Sequence, residues 1–316
     1  MQANDIIARP AYLKDTMATP RSIYTICLLV VSLLIAAEPT PPTVPPILEP
    51  LKAKIGRHWA FKGLVLDFQA NQPLTEDQFK AIESLGIRRI AIGNAKGIDD
   101  SSIKRLAKLN LEGFVTDGSQ LTDEAFNHLA TMKSLKNLSF YHPAFGKKGF
   151  TGSGFALLKD LPELETLTFA GTSTGEEAMA AIGELTQLKQ LSTWHTQQTD
   201  PRNLYLLKLT NLRSLKLGNS LSKYNGKPRQ PCLTDATLAT IAQMKSLENL
   251  ELTEMRLNFP VLEQLSALPN LKKLKLEGVD ISANDIEKLR AKMAGVSIEW
   301  KHMTESEIKR LTDFLK

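Results

Sequence analysis

LKNLSF (135–140), LETLTF (164–169), LKQLST (188–193), LRSLKL (212–217), LENLEL (247–252) and LKKLKL (271–276) are six copies of one pattern, L-x-x-L-x-L. IRRIAI (87–92) and LEGFVT (111–116) fit it with looser residues. One 24-residue step back from Ile87 lands on GLVLDF (63–68), and one step forward from Leu271 lands on GVSIEW (295–300). The ten copies start at 63, 87, 111, 135, 164, 188, 212, 247, 271 and 295, so seven of the nine intervals are 24 residues. The other two, 29 and 35, carry insertions of 5 and 11 residues. The fourth position is apolar in every copy: Leu66, Ile90, Phe114, Leu138, Leu167, Leu191, Leu215, Leu250, Leu274 and Ile298. Side chains alternate across a strand. Positions four and six therefore point inward, and three, five and seven point to the opposite face.

The second half of each copy reads as a helix. LTDEAFNHLATM (121–132) and LTDATLATIAQM (233–244) are the clearest, with Thr122 and Thr234 placed to cap it. Thr75 with Gln78 forms a capping box, and Thr151, Thr199, Asn258 and Ser282 hold the equivalent place. One strand plus one short helix cannot bury its leucines alone; stacked copies can. The expected fold is α/β: a right-handed solenoid over 63–300, with about ten parallel strands on its concave face and helices on its convex face. Its ends need covers. Residues 47–62 offer Leu51, Ile55 and Trp59 at helical spacing as an N-terminal cap. Residues 301–316 offer a C-terminal capping helix, with a Thr304–Glu307 box and an apolar stripe of Ile308, Leu311 and Leu315 laid over the last repeat.

These repeats resemble those of leucine-rich repeat proteins. Within them they look like the 24-residue L-T-D type of secreted bacterial proteins, and they are similar to the repeats of F-box leucine-rich proteins, without a recognisable F-box. The family often carries Asn or Cys after the strand. Here that place holds Thr172, Thr196 and Ser220, with Pro143 and Met255 as outliers. The resemblance implies a non-enzymatic protein-binding or scaffold module and is weaker for function than for fold.

Upstream, IYTICLLVVSLLIAA (23–37) is uncharged and follows Arg9, Lys14 and Arg21. Residues 1–37 read as a cleaved secretory signal, with Met17 as an alternative start, or as an uncleaved membrane anchor. Both place the remainder outside the cytoplasm, secreted or periplasmic in the first case and membrane-tethered in the second. Residues 38–46 hold five prolines and form an extended linker. If the apolar run is removed, Cys232 is left without Cys27, and no intramolecular disulfide can form. No Cys/His zinc cluster is present.

The chain has 39 basic and 34 acidic residues, a balance that does not suggest a nucleic-acid footprint. There is no phosphate loop, H-E-x-x-H or G-x-S-x-G, and no cofactor is expected. Ser192 and His195 lie close in sequence without an evident acid, and His142 with His195 lack a carboxylate at ligand spacing. His58, His128 and His302 are isolated. At the seventh position two large aromatics stand out, Tyr141 and Trp194, each followed by a histidine, His142 and His195. They lie two rungs apart with Ala170 and Gly171 between, which predicts a small-floored notch about 9–10 Å wide. The insertions rim it, the first with Lys147 and Lys148, the second with Lys223, Lys227 and Arg229. The expected role is a binding module for a protein, peptide or glycan on the concave face; the alternative is an envelope scaffold without a defined ligand.

Overall fold

The computed structural model describes residues 42–143, 149–172, 175–220, 223–224, 227–228 and 232–315. The signal or anchor segment, the first part of the linker, and Lys147, Lys148 and Arg229 lie outside the described residues, as do the side chains of Lys223 and Lys227.

One eleven-stranded sheet organises the chain. Its strands are β1 (Lys54–His58), β2 (Phe61–Gln69), β3 (Arg89–Gly93), β4 (Gly113–Asp117), β5 (Asn137–Tyr141), β6 (Thr166–Ala170), β7 (Gln190–Trp194), β8 (Ser214–Gly218), β11 (Asn249–Arg256), β12 (Lys273–Asp280) and β13 (Ser297–Trp300). The two-residue β9 (Lys223–Tyr224) and β10 (Lys227–Pro228) pair with each other inside the second insertion. Within the eleven-stranded sheet the strands neighbour one another in chain order, and every pairing from β2 to β13 is parallel; the β9–β10 pair is antiparallel. Fourth-position residues face each other throughout: Leu66 with Ile90, Leu138 with Leu167, Leu215 with Leu250, Leu274 with Ile298. Both insertions are thus looped out without shifting the register. This is a leucine-rich repeat solenoid.

Fourth-position side chains from Leu66 to Leu274 are fully buried, as are most sixth-position ones, in one continuous core with the helix faces. Where the first insertion re-enters the array, Phe150 packs into a cluster with Phe126, Phe140, Phe155 and Phe169.

The aspartate that follows the capping residue, in Asp99-Asp100, Thr122-Asp123 and Thr199-Asp200, has a physical role beyond capping. Asp100 accepts from the Thr122 hydroxyl (2.6 Å) and backbone N–H (2.9 Å) one repeat later. Asp123 does the same for Thr151 (2.7 and 3.0 Å), and Asp200 for Thr234 (2.6 and 3.2 Å). Thr122 and Thr234 in turn accept from N–H groups of their own first turn. Each such threonine therefore ties its helix to the previous one with charge-assisted bonds. The Thr75–Gln78 box forms, Asn258 and Ser282 cap their helices, and Thr199 makes no side-chain cap bond.

Position eight, just past β3 to β7 and inside β11 and β12, has a positive φ in seven copies: Asn94, Gly118, His142, Gly171, His195, Glu254 and Gly278. Glycine takes this conformation freely, and Asn and His are enriched there among other residues. Past it, Thr172, Thr196 and Ser220 are buried in the ninth position.

The N-terminal end departs from expectation. The N-terminal cap is a 3-10 helix, Pro46–Leu51, followed by β1, which pairs antiparallel with β2. Ile55 lies opposite Leu66 as a strand residue, and Trp59 is in the hairpin turn. Residues four apart share a face in a strand as well as in a helix, so the Leu51–Ile55–Trp59 spacing fitted both. At the other end, Thr304 and Glu307 do form a capping box for helix Glu305–Leu315. That helix does not simply cover the last repeat. It runs back over the strand ends: Arg256 donates to Thr312 (2.6 Å), and the Phe314 ring is 5.5 Å from that of His195.

Candidate open-face site

The helices cover the face bearing positions four and six. The other face has three zones, set by what occupies positions three, five and seven. In the first repeats Val65, Ala91 and Val115 form a separate apolar cluster, nearly as buried as the core. The β1–β2 hairpin shields it, because Ala60 and Phe61 fold over the sheet. Phe61 lies against Gly113, where a Cβ would come within 2.4 Å of its ring. The glycine in LEGFVT is thus the socket for the hairpin tip.

The hairpin delivers Trp59 to the middle zone. Trp59 is 76% exposed, and its ring centroid is 6.0 Å from that of Tyr141 at 66°. Tyr141 is in turn 5.9 Å from Trp194 at 53°. The Lys216 ammonium lies 5.0 Å over the Trp194 ring, a cation–π contact. Tyr141 and Trp194 therefore do not wall an open notch. They lean together above buried Ala170, so the expected gap is filled by the rings themselves. Both are half-buried. Burial pushes the Tyr141 phenol pKa up, an effect opposed by the nearby Thr168 and Ser139 hydroxyls. Trp194 is pressed from below by Gly218, where a Cβ would come within 2.4 Å of it.

The third zone is a charge ladder. Fifth positions read Lys216, Glu251, Lys275 and Glu299, directly opposite one another in register. Lys216 pairs with Glu251 at 2.6 Å, and Lys275 bridges Glu251 (3.3 Å) and Glu277 (2.7 Å). The hydrogen bond to Lys275 holds the Glu277 carboxyl below its usual range. A groove of about 470 Å³ lies at the end of this ladder, between Lys275, Glu277, Trp300, His302 and Met303.

The histidines face different partners. His142 Nδ1 is 2.8 Å from Asp117 Oδ1, with its ring against Gly171. His195 Nε2 is 2.7 Å from Glu254 Oε2, a carboxylate contributed from two strands away. Neither contact shows a shared metal, and no group of three metal-ligating side chains occurs among the described residues. Ser192 makes no hydrogen bond with His195 among the described residues, so the acid beside this histidine does not complete a nucleophile. Both histidines occupy the positive-φ eighth position, which explains their residue type without a ligand. The structure thus brings Tyr141 and Trp194 together and turns His142 and His195 aside. Trp59, assigned to the cap from sequence, is the added member.

No family model and no curated protein matches the chain. Among solved structures, it is similar to one of a TLR13–ssRNA13 complex, at TM-score 0.48 and 17% identity over 75% of this chain. The match spans 33%, about a third, of that chain. Among the described residues no helix is long and apolar enough to cross a membrane.

Proposed function

We propose that the chain is a non-enzymatic binding module that holds a protein or peptide on the open face of its repeat sheet. The observation that carries this reading is Trp59: an indole three-quarters exposed, set by a hairpin against Tyr141 and continued by Trp194 and Lys216. Core packing does not require it there, and exposed aromatics fixed on a rigid base are typical interface anchors. The ring planes favour a peptide over a glycan. Steps of 66° and 53° present crevices rather than the flat strip on which a sugar chain stacks. Nucleic acid is the less favoured ligand, because the ladder lysines Lys216 and Lys275 are already paired with carboxylates.

The site of action in this reading is outside the cytoplasm, secreted, periplasmic or tethered by residues 23–37. Its support is the uncharged run behind Arg9, Lys14 and Arg21. A reporter fused after residue 60 is expected to be active outside the cytoplasm, and deletion of 23–37 to abolish that. Retention of the intact chain in the cytoplasm refutes the location.

The binding test is panning of a random 12-residue peptide library on the folded chain. Binders are expected to lose tenfold or more affinity for Trp59→Ala, with an unchanged melt. Binders indifferent to Trp59→Ala and Trp194→Ala, or selection of nucleic acid over peptide, refute the reading.

A further inference from the structure

We infer that the Trp59–Tyr141 step is a recognition site for an arginine side chain of the bound peptide, with Asp117 as its counter-ion. The inference rests on the proposed peptide-binding role of this face. Asp117 and Tyr141 are register partners in β4 and β5, both in the seventh position, so carboxylate and phenol rise side by side from the sheet. Adjacent strands are about 4.8 Å apart. The Asp117 side chain is half-exposed. Its Oδ1 takes the His142 contact, and its Oδ2 has no partner among the described residues. Trp59 stands edge-on to Tyr141 on the same face, with the His58 ring 5.3 Å from its own and 76% of the residue exposed.

Two aromatic rings and a carboxylate within one step make a partial cage for a cation. A guanidinium fits it better than an ammonium, since its plane stacks on an indole while its fork donates to a carboxylate. Two rungs from Tyr141 the attraction of a ring for a cation is met internally: Trp194 carries the Lys216 ammonium over its ring, and Lys216 is neutralised by Glu251. No lysine or arginine among the described residues lies over Trp59 or Tyr141 in this way. Trp59 and Tyr141 carry no such cation among the described residues, and Asp117 is the register neighbour of Tyr141. The Trp59–Tyr141 step with Asp117 therefore offers an incoming arginine both a ring surface and a counter-ion.

The test uses peptides panned on the intact chain. Each binder is resynthesised with its arginine replaced by citrulline, which keeps shape and removes charge, and by lysine. Citrulline is expected to weaken binding at least fivefold, lysine less. Asp117→Asn should reduce the arginine peptide's affinity by a similar factor and erase the arginine–citrulline difference. Because Asp117 also holds His142, Tyr141→Leu serves as a second variant that leaves the carboxylate in place and should shrink the same difference. Binders that need Trp59 but carry no arginine, or tolerate citrulline within twofold, overturn the arginine site and leave the open-face role intact. Absence of any Trp59-dependent binder overturns both.

Discussion

The Thr-Asp ladder makes a sharp energetic prediction, because the array contains its own control. Asp123 accepts from Thr151 N–H (3.0 Å), Thr151 Oγ1 (2.7 Å), Gly152 N–H (2.9 Å) and, weakly, Ser153 Oγ (3.3 Å). Three good bonds to a charged acceptor, each worth about 1.5–3 kcal/mol when intact, exceed what Asp123→Ala should cost, since water reaches this half-buried edge. We expect a net loss of about 2–3 kcal/mol. Asp235 stands in the same L-T-D context but makes no side-chain bond to the next repeat among the described residues; there the capping place is Asn258. Asp235→Ala should therefore forfeit only its interaction with the helix N-terminus, about 0.3–1 kcal/mol. The assay is urea unfolding of both variants beside the parent, with hydrogen exchange to locate the loss. For Asp123→Ala, faster exchange should centre on the strands and helices around β4–β6. Equal destabilisation by the two substitutions would falsify the ladder and leave only capping.

Three further outcomes are expected. Leu191→Asp puts an unpaired charge where Leu191 is 1% exposed and should unfold the neighbouring repeats; an unchanged melt refutes the register. Glu254 has φ 58, so Glu254→Val should destabilise the chain by more than Glu254→Gly, which relieves the backbone while losing the His195 contact; the reverse order in thermal melts contradicts this. Hydrogen bonding with Lys272 lowers the Glu248 carboxyl pKa, and that with Lys275 lowers Glu277. A lowered folded-state pKa contributes stability above the unfolded value, near 4.5, and loses it as pH falls through the folded value. The melting temperature should drop below about pH 4.5, and less so in Lys272→Ala; an identical acid profile in that variant refutes the pairing.

The solenoid was legible in the sequence because its determinant is periodic. Leu138 and Leu250 had to be buried if copies stack, and the in-register pairing across both insertions follows from the leucines alone. The site was half legible. Tyr141 and Trp194 stood out at the seventh position, but their contact depended on side-chain lean, which strand spacing does not encode. Trp59 was missed because a four-residue spacing serves strand and helix alike, although Pro45, Pro46 and Pro50 disfavour a regular helix there. The socket for its hairpin, Gly113, was a usable signal: a glycine at a strand's third position marks a close approach. His142 and His195 misled because chemistry-bearing residues also serve as turn residues. Asn94, Gly118 and Gly171 at the same place mark that turn.

The most direct measurement of the central claim is oxidative footprinting of the chain with and without a saturating panned peptide. Bound peptide is expected to protect Trp59 and Tyr141 strongly, and the exposed helical-face leucines Leu157 and Leu204 not at all. Protection of Leu157 and Leu204 with Trp59 still fully reactive would show that the partner sits on the helices and that the open aromatic face is not the binding surface.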